Sequence, residues 1–367
     1  MSHNLLTQLR TRHSGQSAGP ATHLSLMALE SRTVPSANVN LSSAGVLTIN
    51  GSDFNDTVVV RQYQGFIAVR NTTITAPDGL EYASVRAGEV SSIVVNGYGG
   101  NDLIDLGTSG HSGYQLITAP ATIDAGDGYD RITGTAGADA INTGEGVSYV
   151  VAGYGNDTIT GGLSNDTLYG SYGDDTIDAG DGNNLVYGGD GADGITTGTG
   201  NDKVYGNNHN DDINAGAGND YISGSNGNDV LTGGVGRDTI TGENNDDTIN
   251  GGDDNDSLLG GYGNDTMNGD GGNDAIRGSY GNDLISGGAG LDSLFGDYGN
   301  DTVDGGDDAD VIRGGYNNDT ITGGSGDDKI YGDAQNDVIT GDDGVDTMYG
   351  GTQTDLLDGQ SVDFLVA

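Results

Sequence analysis

The chain of 367 residues has no cysteine, no tryptophan, four prolines and twelve basic residues, and its only lysines are Lys203 and Lys329. Without cysteine there is neither a disulfide nor a thiolate site for zinc or an iron–sulfur cluster. Both lysines follow an aspartate rather than a glycine, which removes a phosphate-cradling P-loop. Against the few cations stand 55 acids, a formal net charge of −43. Such a surface repels nucleic acid and anionic membranes, so no nucleic-acid partner is expected. No run of about 18 apolar residues occurs, hence no membrane-spanning helix. The five histidines are scattered: His3, His13 and His23 lie near the start, and His111 and His209 stand alone. Neither His-Glu-x-x-His nor Gly-x-Ser-x-Gly is present, and paired aspartates are too numerous to nominate a glycosidase site. The expectation is a protein that is not an enzyme.

What the chain does have is glycine, 70 residues of it, and acid in strict register. Between Asp130 and Asp355 an acidic residue falls every nine positions at 24 of 26 sites, with Ser148 and Asn184 as the two breaks. Two residues after each site comes an aliphatic side chain, from Ile132 to Leu357, without exception. A fixed short period of this kind marks a solenoid. The outward residues alternate in kind, so the true period is 18: small polar ones such as Thr160, Asp178 and Thr196 alternate with larger ones such as Tyr169, Tyr187 and Tyr205. Loop tyrosines at 154, 172, 262, 280, 298 and 316 keep the same spacing. Two unlike edges follow. One carries Asp139, Asp157, Asp175, Asp193, Asp211, Asp229, Asp247, Asp265, Asp283, Asp301, Asp319, Asp337 and Asp355. The other carries Asp130, Asp166, Asp202, Asp220, Asp238, Asp256, Asp274, Asp292, Asp310, Asp328 and Asp346.

Rows of close carboxylates need a cation. The glycines ahead of each aspartate permit φ > 0 and let backbone carbonyls approach an ion without a Cβ in the way. An all-oxygen donor set suits a hard cation that takes six to eight ligands, which favours calcium over the octahedral, water-retaining magnesium. The inward aliphatics, one per short strand, would stack into a core that no single repeat could bury.

The unit reads Gly-Gly-x-Gly-x-Asp-x-U-x, with U a large aliphatic, as in Gly260-Gly-Tyr-Gly-Asn-Asp265 and Gly323-Gly-Ser-Gly-Asp-Asp328. It resembles the hemolysin-type (RTX) calcium-binding nonapeptide repeat over about two thirds of the chain. That resemblance implies an all-β fold, a parallel β-roll with two sheets and 18 residues per turn, in which the glycine stretch turns and the x-U-x tripeptide is the strand. It also implies calcium between successive turns, each ion held by one carboxylate from each of two aspartates 18 apart together with loop carbonyls; all 24 aspartates above are candidate ligands. Counting stacked pairs gives 12 on the unbroken edge and eight on the edge interrupted by Ser148 and Asn184, an upper bound of about 20 ions by the pairing that the resemblance implies. Such ions would bring +40 against −43. The cation-free chain is expected to be disordered and metal binding to supply folding free energy. His209, Asn245, Asp254, Asp308, Asn317, Gln335 and Gln353 replace the last loop glycine and are expected to weaken some sites.

Around the array (127–358), residues 1–37 read as a flexible leader and 38–126 as a β-rich N-terminal cap with degenerate repeats. Period-two strands are expected at Val46–Ile49, Thr57–Val60, Phe66–Val69 and Ser92–Val95. Gly97–Asp102 is an imperfect loop lying 28 residues before Asp130, which reads as three units plus one residue absorbed between Gly107 and Tyr114. Residues 359–367 read either as a terminal cap or as an export tail, since Asp363-Phe-Leu-Val-Ala367 resembles the end of type I secretion substrates. The functional expectation is a secreted or cell-surface protein that folds on calcium and serves a structural or surface-associated role. The alternative is an adhesin that binds glycan or a cell-surface protein through the Tyr/Arg face.

Overall fold

The computed structural model describes residues 38–70, 74–75, 81–107, 114–358 and 364–366. The leader and Asp363 of the terminal element lie outside the described residues. Everything below concerns the compact unit that begins at Val34.

The unit is a parallel β-solenoid of about thirteen turns with two sheets, and among the described residues it has no α-helix. Each turn contributes one strand to each sheet, and equivalent residues pair at a spacing of 18: Ile159 beside Ile177 in one sheet, Leu168 beside Val186 in the other. We call these the threonine and tyrosine sheets after their outward residues. Between them the inward aliphatics form one continuous core from Val39 to Met348. Every aliphatic of the series from Ile132 to Met348 is buried, and Leu357 is partly buried at the end. β-branched and γ-branched side chains suit this role, since each fills the space between sheets while its neighbours in the strand point out.

Two expectations need correction. The strands are longer than x-U-x tripeptides over most of the array: Thr167–Tyr172 and Val230–Val235 run on into the following glycine loop. Equivalent loop residues are held in parallel register, so the ladder has no reason to stop at the third residue. The 28 residues from Asp102 to Asp130 are also not three units plus one. Leu103 pairs directly with Arg131 and Ile93 with Ala121, so this is a single turn enlarged by an insertion. A second enlarged turn precedes it, with Thr57 beside Leu103 and Val46 beside Ser92. The strands expected at 46–49, 57–60, 66–69 and 92–95 are all present, and Asn38–Leu41 pairs antiparallel with Val46–Ser52 at this end. At the other end Phe364–Val366 pairs in parallel with Thr347–Tyr349.

Candidate metal centres along the two loop edges

The aspartates of both rows are turned inward and buried, most at 1–3 % exposure, except the terminal Asp355, which is partly exposed. Their placement follows from the loop. The glycine stretch reverses the chain, and the aspartate stands immediately before the next strand, two residues ahead of the inward aliphatic, in phase with it and therefore also inward. Oδ1 accepts the backbone N–H of the residue one turn earlier, in most turns another aspartate: Asp157 N–H donates to Asp175 Oδ1 at 2.7 Å, and Asp211 N–H to Asp229 Oδ1 at 2.8 Å. The pattern runs unbroken from Asp139 to Asp355 in one row. In the other it fails at Ser148, whose Oγ makes no hydrogen bond and where Asp130 N–H turns to the Val147 carbonyl.

Oδ2 is different. From Asp157 to Asp337 in the Asp139 row, and from Asp202 to Asp328 in the other, it is buried without a hydrogen-bond partner. It faces oxygen. A Cβ built on Gly170 would lie 2.3 Å from Asp175 Oδ2 and 2.7 Å from the Gly188 carbonyl, and the same cradle recurs at Gly188, Gly260 and Gly332. Asn184 marks what this position demands. Its Oδ1 keeps the ladder bond from Asp166 N–H, while its Nδ2 donates to the carbonyls of Gly180 at 3.1 Å and Gly182 at 3.4 Å. Where an aspartate stands instead, the same side-chain position is a carboxylate oxygen, which has no hydrogen to donate. A buried acceptor so placed calls for a proton or a cation.

The carboxyl groups respond accordingly. Burial, reinforced by the carboxylates one turn away and opposed by the backbone N–H, pushes Asp157, Asp211, Asp247 and Asp319 up to about 8. The same causes raise Asp175, Asp220, Asp256, Asp283 and Asp310 to about 7. Among the described residues no three acidic, histidine or cysteine side chains converge, so a cation here would draw on backbone carbonyls as well as carboxylates. The residues fit calcium: hard, anionic and neutral oxygens in a cradle that only glycine leaves open.

Position four of the loop keeps its left-handed backbone even without glycine: His209, Asn245, Asp254, Asp308, Asn317, Gln335 and Gln353 have φ between 71° and 87°. The replacements stay on the positive-φ side that the loop requires but at lower φ than glycines at the same position, such as Gly191 at 139° and Gly263 at 147°.

Sequence reasoning missed three features. The Asp130 row extends backwards through Asp102 and Asp56, as Asp56 N–H donates to Asp102 Oδ1 and Asp102 N–H to Asp130 Oδ1. The repeated Asn-Asp dipeptide at 55–56 and 101–102 was the available signal. Second, where the residue before the aspartate is asparagine or aspartate it forms an exposed ladder of its own, with Asn282 N–H donating to Asn264 Oδ1 and Asn300 N–H to Asn282 Oδ1. Third, the gap in the loop tyrosines is bridged by amides: Asn226 Nδ2 donates to Asn208 Oδ1 and Asn244 Nδ2 to Asn226 Oδ1, joining the Tyr154–Tyr172 stack to the Tyr262–Tyr316 stack.

The tyrosine sheet carries the expected aromatic stripe. Tyr169, Tyr187 and Tyr205 stack at 4.8 Å, and Tyr262, Tyr280, Tyr298 and Tyr316 at 4.7–4.9 Å, all with ring planes within 9°. Arg277 lies over Phe295 and Arg313 over Tyr331, and each also pairs with an acid one turn on, Asp297 and Asp333. A shallow cleft of about 390 Å³ runs between Tyr169, Tyr172, Tyr187 and Asn208.

The family model of the RTX calcium-binding nonapeptide repeat matches in overlapping copies from residue 121 to 357. No curated protein matches. A solved structure, a hyperactive, Ca2+-dependent, β-helical antifreeze protein from an Antarctic bacterium, is similar at 22 % identity and a TM-score of 0.36, over 70 % of this chain and 78 % of that one.

Proposed function

Since the chain belongs to the RTX calcium-binding nonapeptide-repeat proteins, we infer that its two aspartate rows hold calcium ions between successive loops and that these ions drive folding. The observation that carries this reading is the unpartnered, buried Oδ2 beside a loop carbonyl, set against Asn184, where the side-chain amide at the same position finds partners in loop carbonyls. Asp157 to Asp337 and Asp202 to Asp328 would supply the anionic oxygens, and the loop backbone the neutral ones. The ion supplies positive charge that a buried carboxylate otherwise lacks, and its binding free energy is folding free energy.

The role is structural. Cytosolic calcium lies far below the roughly 10⁻⁴–10⁻³ M at which extracellular calcium modules fill, so the chain folds once outside the cell, secreted or at its surface. No disulfide is needed, in keeping with the absence of cysteine. The enlarged turns over 38–126 serve as the N-terminal cap that a solenoid end requires. A partner, glycan or protein, would have to use ring edges and hydroxyls of the tyrosine stripe, because the ring faces are taken up by one another. That geometry favours the stripe as a stabiliser of the sheet, and the adhesin reading remains the alternative.

The test is circular dichroism during calcium titration of chelated protein. β-sheet signal should appear cooperatively with calcium and not with equal magnesium. A full β spectrum in chelator at neutral pH would overturn the reading.

A further inference from the structure

The 18-residue pairing leaves Asp130 alone, because its partner position is Ser148. The fold gives it another neighbour. Across the enlarged turn, Asp102 is stacked on Asp130, 28 residues away in sequence, and its N–H donates to Asp130 Oδ1 at 2.7 Å. Asp102 is 3 % exposed and Asp130 fully buried, and Oδ2 of both lacks a hydrogen-bond partner. A Cβ on Gly97 would lie 2.6 Å from Asp102 Oδ2 and 2.1 Å from the Ala125 carbonyl. This is the cradle of Gly170, Asp175 and Gly188 rebuilt from residues that do not spell the nonapeptide. Asn101 completes the likeness: its side-chain Oδ1 accepts the Tyr129 N–H, as Asn264 does for Asn282 in the array.

The row stops one turn earlier. Asp56 is buried too, but its Oδ2 accepts the Ser52 N–H at 2.6 Å and the Ser52 Oγ–H at 3.0 Å. Asp139, at the head of the other row, is closed in the same way by Thr135, whose N–H donates to Oδ2 at 2.5 Å. Two hydroxyl residues, each four before its aspartate, thus satisfy with protein donors what the later aspartates leave open. Between the Ser52-closed end and the Ser148 break lie two buried carboxylates with two open oxygens.

We propose that Asp102 and Asp130 form a divalent-cation site of their own, across the 28-residue turn and outside the regular 18-residue pairing. One divalent ion neutralises the two carboxylates. It ties the strand Leu103–Asp105 to Arg131–Thr133 and so fastens the irregular N-terminal turns to the repeats. The proposal rests on the calcium reading above, and its test separates the two.

The experiment counts calcium bound per full-length chain by elemental analysis, and follows hydrogen exchange of the Leu103–Asp105 amides, in the wild type and four variants. Asp102→Asn and Asp102→Ser (the residue found at 148 in the same row) should each lose one ion and speed exchange in Leu103–Asp105 by at least tenfold, with the array amides still protected. Asp56→Asn should lose none. Asp229→Asn, in the unbroken row, should lose two. Full calcium occupancy in both Asp102 variants, with ions lost from Asp229→Asn, would overturn this site and leave the array reading standing. Full occupancy in all four variants would overturn both.

Discussion

The side-chain amide of Asn184 donates to the carbonyl of Gly180 at 3.1 Å, in the place where every neighbouring turn of that row from Asp202 onward presents a carboxylate oxygen. One oxygen in place of one nitrogen removes the donor and leaves a buried acceptor without a partner. The row therefore contains its own comparison between a loop closed by a proton donor and a loop that needs a cation.

Asn184→Asp should restore the missing carboxylate between Asp166 and Asp202 and add two ions to the bound calcium. Titration calorimetry or elemental analysis measures the gain. An unchanged calcium count would mean that carboxylate pairing does not govern occupancy.

Asp166 stands between Ser148 and Asn184 and so belongs to no carboxylate pair. Asp166→Asn should leave the calcium count unchanged, whereas Asp247→Asn, flanked by Asp229 and Asp265, should lower it by two. Equal losses from the two variants would show that the 18-residue stacking does not define the sites.

Protons should substitute for calcium. The folded-state values of Asp157, Asp211, Asp247 and Asp319 are raised to about 8 from an ordinary 3.8. A raised folded value means that the folded chain binds more protons, so stability is fully present below the ordinary value and falls as pH rises through the raised one. In chelator the protein should hold β structure at pH 4–5 and lose it between about pH 6 and 8, while excess calcium should abolish that transition. Far-UV dichroism against pH, with and without chelator, reads this directly. Greater cation-free stability at pH 8 than at pH 5 would contradict it.

Much of this was legible in the sequence. The nine-residue spacing gave the turn, the doubled period gave two unlike sheets, and the inward aliphatics from Ile132 onward are buried as their phase required. Three things were not legible. Pairing across the enlarged turns depends on where strands such as Leu103–Asp105 land in space, and an insertion destroys the period that would reveal it. The split roles of Oδ1 and Oδ2 depend on strand stagger, which composition does not carry. The difference between Ser52, which closes Asp56, and Ser171, which leaves Asp175 open, lies in backbone angle: Ser171 has φ 88°.

Gln335 combines a left-handed φ of 85° with a buried side-chain oxygen that makes no hydrogen bond. Gln335→Gly should relieve both and stabilise the calcium-bound protein by about 0.5–1 kcal/mol, after allowing for the backbone entropy of glycine. Thermal unfolding in saturating calcium should show the melting temperature rising; a fall would mean that the glutamine makes a favourable contact.

Tyr280 has a ring on each side and Tyr316 on one. At about 0.5–1.5 kcal/mol per stacked pair, Tyr280→Ala should cost roughly twice what Tyr316→Ala does. Unfolding of both variants in calcium gives the ratio. Equal and negligible costs would return the stripe to the search for a binding partner.

The most direct measurement is a calcium anomalous-difference map from crystals grown in calcium. Two rows of peaks are expected beside Oδ2 of Asp157 to Asp337 and of Asp202 to Asp328, within reach of loop carbonyls, with a gap in the second row around Ser148 and Asn184. Ordered loops with no peaks beside those oxygens, or peaks distributed without regard to Ser148 and Asn184, would contradict the account.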